Sequence, residues 1–316
     1  MEKKLGSLLV AFALRCAATN FMKYIILSGL PVAFVHFAGA QSATPTPESA
    51  ATAEVSPPSQ VDKSRYTSFN PTPAYEMREF LPDRPYVTDS PYTVDAGHWL
   101  LEMGLFEYTR DRWRNRLDQF AFGDTNIRLG VTNYADVELM FIAYTYILTR
   151  NNTGGQLKQS GFSDTTLSSK INILGDDGGP VAIAFFPGVT FPSGSAGVGG
   201  GGFAGDGALL AEFALPAGFN LRTESGIQTQ HQPGNGSLFE YFSRAALGHA
   251  ITKKLTTYIE FTTVIPTTDG SWQGTFDTGL IYQPPNQKWQ LDAGVNIGVT
   301  KAAPGLFSFV GAAWGF

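Results

Sequence analysis

Residues 288–299, KWQLDAGVNIGV, change character at every step. Trp289, Leu291, Ala293, Val295, Ile297 and Val299 are apolar, and the positions between them are polar or small. A period of two marks a β-strand with two unlike faces. The pattern recurs at 98–109, 121–131, 135–148, 162–174, 180–191, 207–215, 218–230, 237–249, 254–265, 273–283 and 306–316, which predicts about twelve strands. Each is close to the roughly 9–11 residues that cross a bilayer at a tilt. No helical period competes with them.

The connections sort by length. The turns at 132–134, 175–179, 216–217, 250–253 and 284–287 are short. Those at 110–120, 149–161, 192–206, 231–236, 266–272 and 300–305 are mostly longer. Short inner turns alternating with longer outer loops describe an outer-membrane barrel. The expected fold is all-β: a transmembrane antiparallel up-and-down β-barrel of about 12 strands, with periplasmic N- and C-termini.

Charge sorting agrees. Leu255, Ile259 and Phe261, or Val181, Ile183 and Phe185, fall on one face of their strands. The other face carries Glu102, Arg128, Glu138, Lys170, Glu212, Arg222, Glu224, Glu240, Arg244, Glu260, Asp277 and Asp292. A basic side chain facing lipid at the midplane costs roughly 2–4 kcal/mol, so such sorting has a physical cause. These residues, Glu102 apart, and Tyr144 are the candidate lumen-lining set. Glu107 breaks the rule and is placed outward, near a strand end where the cost is small. Met140, Ile142, Tyr144 and Tyr146, with Phe186, suggest an apolar inner wall. Two same-face pairs, Arg222 with Glu224 and Glu240 with Arg244, suggest salt bridges in the lumen.

Ahead of the strands the chain reads differently. Met22 to Ala40, MKYIILSGLPVAFVHFAGA, has the basic start, apolar stretch and small-x-small end of a secretory signal. Residues 1–40 are therefore expected to be a signal peptide, with Met22 as an alternative start. Residues 41–80, rich in Ala, Ser, Thr and Pro, read as a disordered periplasmic segment. Residues 81–97 are proline-punctuated and form either a plug or the entry to the barrel at 98–316.

Composition then excludes several functions. Only 16% of the 316 residues are charged and the net charge is -5, which gives nucleic acid no electrostatic footing. The single cysteine, Cys16, lies in the signal region, so disulfides and thiol chemistry are excluded downstream. No cofactor and no metal site is expected. Asp176 and Asp177 suit a turn better than a calcium site. The glycine-rich 192–207 stretch lacks the helix and lysine of a phosphate loop. It reads as a mobile outer loop, with gating of the pore left open. Ser243 and His249 invite a lipase reading, but they are assigned to opposite faces, out of catalytic reach.

Residues 83–98, DRPYVTDSPYTVDAGH, resemble the opening of the outer-membrane transporters grouped as the meta-pathway phenol-degradation family. The matching elements are Asp83-Arg84-Pro85, Thr88-Asp89-Ser90-Pro91 and Val94-Asp95-Ala96-Gly97-His98. FGDTNIRLGVTNYADVEL (122–139) and LPAGFNLRTESG (215–226) are similar to later hairpins of that family. The resemblance spans about 81–316. It implies a barrel and transport of aromatic or other hydrophobic compounds, and it supplies no catalytic residues.

The first functional expectation is a passive outer-membrane channel for small, apolar or aromatic molecules. The second is a non-conducting structural barrel with a filled lumen, and the third an outer-membrane enzyme. Expected partners are outer-membrane lipid and lipopolysaccharide, an unidentified small solute, and the barrel-assembly machinery through the last strand, which ends at Phe316.

Overall fold

A computed structural model describes residues 62–111, 116–151, 154–232, 236–268 and 270–316. The expected signal peptide and most of the 41–80 segment lie outside the described residues.

Thirteen strand segments build the fold: β1 (Trp99–Asp111), β2 (Arg116–Thr132), β3 (Ala135–Arg150), β4 (Gln156–Gly161), β5 (Thr165–Leu174), β6 (Val181–Phe191), β7 (Ala204–Ala214), β8 (Phe219–Gln232), β9 (Gly236–Thr252), β10 (Leu255–Pro266), β11 (Gln273–Tyr282), β12 (Trp289–Gly298) and β13 (Leu306–Gly315). β4 and β5 both pair with β3, β4 along residues 145–150 and β5 along 135–140, so together they form one interrupted stave. Every pairing is antiparallel between chain neighbours, and β1 closes the ring on β13. The result is a closed twelve-stranded barrel. Closure matters because an open sheet edge in lipid would leave backbone groups without partners.

The predicted spans match these strands within a few residues, except that the second begins at Arg116 rather than at 121 and the fourth is interrupted. The loop expected at 149–161 shrinks to 151–155, because β3 and β4 extend the ladder beyond the alternating core of the sequence.

The outer surface is the apolar face. Ile227, Ile259, Leu280, Leu291 and Ile297 are each about half exposed or more, while their strand neighbours Glu260, Gln290 and Asp292 are buried. In a barrel this is the alternation of lipid side and lumen.

At one level the two faces exchange. A bulge between Gly104 and Phe106 shifts the β1–β13 register. Beside it, Gly123 takes φ +66. Past the bulge Glu107, Ala121 and Thr145 are buried, and Phe106, Phe122 and Tyr144 are exposed. An extra residue in one strand re-aims every side chain beyond it. Two expectations are corrected as a result. Glu107 points into the lumen, not outward. Tyr144 leaves the lumen-lining set: it sits on the face opposite Thr145, in a ring ladder with Phe122 at 6.3 Å and Phe106 5.3 Å further on.

Candidate functional site

Residues 83–94 run across the barrel interior, and their backbone is held by strand side chains on most sides. At the start, Glu102 on β1 accepts the Asp83 and Arg84 amides at 2.7 and 3.0 Å. Gln290 on β12 donates to the Arg84 carbonyl at 2.8 Å. Glu260 on β10 accepts the Val87 amide at 2.9 Å, the Thr88 amide at 2.6 Å and the Thr88 hydroxyl. Arg244 on β9 donates to the Val87 carbonyl, and Glu224 on β8 accepts the Asp89 amide. Asn172 on β5, Arg128 on β2 and Asp136 on β3 hold Pro91, Tyr92 and Val94. An irregular backbone inside a barrel has no ladder of its own, so the wall must satisfy its polar groups.

The segment's own side chains lock it further. Asp83 is a hub. One oxygen receives Arg128 at 2.6 Å and Lys170 at 2.5 Å, and the other accepts the Ser90 amide and hydroxyl. Arg128 also reaches Asp136 at 2.7 Å and Glu138 at 3.2 Å. Both cations are fully buried, so each is tolerable only because carboxylates surround it. Arg84 lies between Asp292 at 3.3 Å and Glu107 at 3.7 Å. Arg222 stacks over the Tyr86 ring at 4.3 Å, and that ring packs on Tyr258.

A strap from residue 62 to 78 continues this docking. Tyr66 and Thr72 are buried, and His98 bridges the Thr72 carbonyl to the carbonyl of Phe316. Residues 62–80 are thus ordered, against the disorder expected up to residue 80. Packing against the barrel end supplies what their composition does not. The strap is anchored on the β5–β6 turn. Asp176 accepts Thr93 and lies 3.3 Å from Arg78, while Asp177 takes Lys63 at 2.8 Å and Arg78 at 2.9 Å. Burial pushes the Asp176 carboxyl up to about 6, against the pull of Arg78. For Asp177 burial is outweighed by hydrogen bonds from Lys63, Asn133 and Arg78, which hold its carboxyl below the usual range. This turn, read from sequence as a plain turn, is a latch.

The remaining candidate residues lie on the inner face of their strands, and the two expected pairs are replaced by others. Arg222 pairs with Glu212 at 2.8 Å, not with Glu224, and Arg244 pairs with Glu224 at 3.1 Å, not with Glu240. Arg222–Glu212 and Glu224–Arg244 are directly opposite across strands. Opposed Cβ atoms lie about 5 Å apart, closer than same-face neighbours along a strand. Glu240 instead takes the amide of Gln228 at 2.7 Å. Asp277 is buried opposite Glu260, and its side-chain oxygens accept no hydrogen bond among the described residues.

Of the expected apolar inner wall, Met140 and Phe186 stay inside, whereas Tyr146, like Tyr144, lies on the outer face beside Phe120. Ala184, Phe186, Ala208, Leu210 and Phe242 form a buried cluster, against which Met140 and Val264 pack. Phe186, Phe242 and Met140 are one side of a cavity of about 460 Å³. Asp89, Glu224, Asp206 and Arg244 also border it, so the lumen segment closes its inner side. The glycine-rich loop contributes Gly200 and Gly202. That loop wraps the Asp164 carboxylate, which accepts the Gly194 and Gly200 amides at 2.7 Å each.

The lipase reading fails for a corrected reason. His249 stacks on Phe219, its cross-strand partner on the outer face, so it shares a face with Ser243. The two are six residues apart on one strand, about 20 Å at 3.3 Å per residue.

Sequence reasoning missed Asp83, Arg84, Glu107 and Asp136. For the first two a signal existed: an unusual density of Asp, Thr and Ser in a proline-punctuated stretch before β1.

A family model described as "Putative MetA-pathway of phenol degradation" matches residues 82–316. Among solved structures, the COG4313 outer membrane channel from Pseudomonas putida F1 is similar at 11% identity and a TM-score of 0.53, covering 69% of this chain and 94% of that one. That likeness concerns the fold. The NanC porin is similar at 11% identity and a TM-score of 0.45, over 68% of this chain and 98% of that one. No curated protein matches the chain in sequence.

Proposed function

The chain belongs to the family described as MetA-pathway of phenol degradation, and from that premise we propose a passive outer-membrane channel for small hydrophobic or aromatic molecules. The observation that carries the reading is the half-apolar cavity of about 460 Å³ on the far side of the lumen segment. Its volume is within the usual range for small-ligand sites, roughly 300–1,000 Å³. Phe186, Phe242 and Met140 offer an apolar solute a wall, while Asp89, Arg244 and Glu224 offer a polar end.

In this reading the end that carries the termini is periplasmic and the cavity opens to the outside. Residues 83–94 close the path, and passage requires them to shift. The wall charges then act as the closure's dock. No catalysis is assigned to the barrel. Planar-bilayer conductance tests the reading. Full-length barrel is expected to be nearly silent, and barrel lacking residues 62–97 to conduct. A folded, inserted deletion variant that stays silent sinks the channel and leaves a structural barrel.

A further inference from the structure

Three arginines crowd one patch of the outer face beyond the bulge. Arg116 and Arg150 are direct cross-strand partners, and Arg110 stands opposite Asp118. Asp118 pairs with Arg150 and lies 3.8 Å from Arg110. Arg116 has no ion-pair partner among the described residues. Among the described residues this end of the hairpin therefore holds three cations, Arg110, Arg116 and Arg150, against two carboxylates, Asp118 and Asp111. Like charges directly opposite on a sheet repel. A fold that retains such a pair is complementary to an anion between them. A cavity of about 550 Å³ lies there, bordered by Arg110, Asp111, Arg116, Leu117, Asp118 and Arg150, which leaves a net positive lining.

The level of the patch identifies the anion. Trp99 to Tyr108 is ten residues, counting both ends, and about 9–11 residues cross the bilayer. Tyr108 packs on Phe120 at 5.0 Å, and Phe120 on Tyr146 at 6.4 Å, on the same face as the arginines. These rings stand where an aromatic girdle meets the membrane interface. Arg110 is two residues further, at the height of lipid headgroups. We propose that this patch binds the phosphorylated headgroup of an outer-leaflet glycolipid, with guanidinium groups on phosphate and the rings beneath against the lipid body. Arginine's planar fork suits phosphate in two-point contact. The assignment rests on the proposed orientation of the barrel and not on its conducting anything.

Titration of the refolded full-length barrel in dodecyl-maltoside micelles tests it, independently of transport or orientation. The probes are bis-phosphorylated lipid A, the same lipid dephosphorylated, and inorganic phosphate, with binding and thermal midpoint as readouts. Lipid A should bind saturably and raise the midpoint. Dephosphorylation should weaken binding about tenfold or more, the loss of a charge-assisted contact. Arg116→Gln should weaken lipid A binding about tenfold while leaving the lipid-free midpoint unchanged or higher, since it removes the Arg116–Arg150 repulsion; a residue with only a structural role would lower it. Arg110→Gln serves as the second variant should the first not refold. Undiminished lipid A binding by the variants, or equal binding of the dephosphorylated lipid, overturns the proposal. So does a full effect from inorganic phosphate alone, which would make the patch a free-anion site.

Discussion

Asp83→Ala should loosen the lumen segment more than any other single change in it. The native carboxylate takes Arg128 at 2.6 Å and Lys170 at 2.5 Å on one oxygen and two hydrogen bonds from Ser90 on the other. Truncation leaves two buried cations facing an emptied position. Removing one partner of a buried ion pair costs about 3–5 kcal/mol. Arg128 retains Asp136 and Glu138, and Lys170 retains Glu138 at 3.6 Å, so the lower end applies. A loss of about 3 kcal/mol from docking alone raises the undocked population roughly a hundredfold. The assay is modification of a cysteine placed at Val87, whose backbone and not its side chain makes the hydrogen bonds there, by a water-soluble maleimide, with single-channel recording alongside. Both labelling rate and open fraction should rise by about two orders of magnitude. Asp83→Asn, which keeps an acceptor for Ser90, should fall between. Unchanged labelling and conductance in Asp83→Ala would refute the claim that this hub holds the segment.

Three further outcomes follow from the same geometry. Asp176 has a docked carboxyl raised to about 6, so the docked strap binds the proton more tightly than the free one. Its contribution is therefore complete below about pH 4 and is lost as pH rises through about 6, by up to about 3 kcal/mol; hydrogen exchange of residues 63–78 should quicken across that window, and not in Asp176→Asn. Phe186→Ala empties part of the apolar cluster and should cost about 3 kcal/mol in urea unfolding of the refolded barrel, the low end for such truncations. Ile259→Arg puts a charge on a half-exposed outer position and should cost roughly 2–4 kcal/mol in lipid vesicles; no loss there would mean that this face does not meet lipid.

Much of the barrel was legible because a strand that separates lipid from lumen must alternate. Leu291 and Asp292 could only fall on opposite faces once their strand was recognised. What alternation cannot reveal is where it breaks. One inserted residue near Leu105 turned Glu107 inward, and the matching exchange on β3 took Tyr144 out of the lumen, with no sequence signal beyond nearby glycines. Pairing was hidden for a related reason. Arg222 finds Glu212 and Arg244 finds Glu224 through register between strands, which the order of residues along one strand does not contain. The contacts of residues 83–94 were least legible of all. Its family motif was visible, but an irregular segment has no period, and its partners are spread over nearly the whole ring of strands.

The most direct measurement of the central claim is the rate at which intact Gram-negative cells take up a radiolabelled neutral aromatic hydrocarbon, with and without this barrel in the outer membrane. The account predicts faster entry with the barrel, faster still with Asp83→Ala, and loss of the gain when Phe186→Asp places a charge on the apolar wall. Equal entry in cells with and without the barrel, with the protein shown to be folded and inserted, would contradict it.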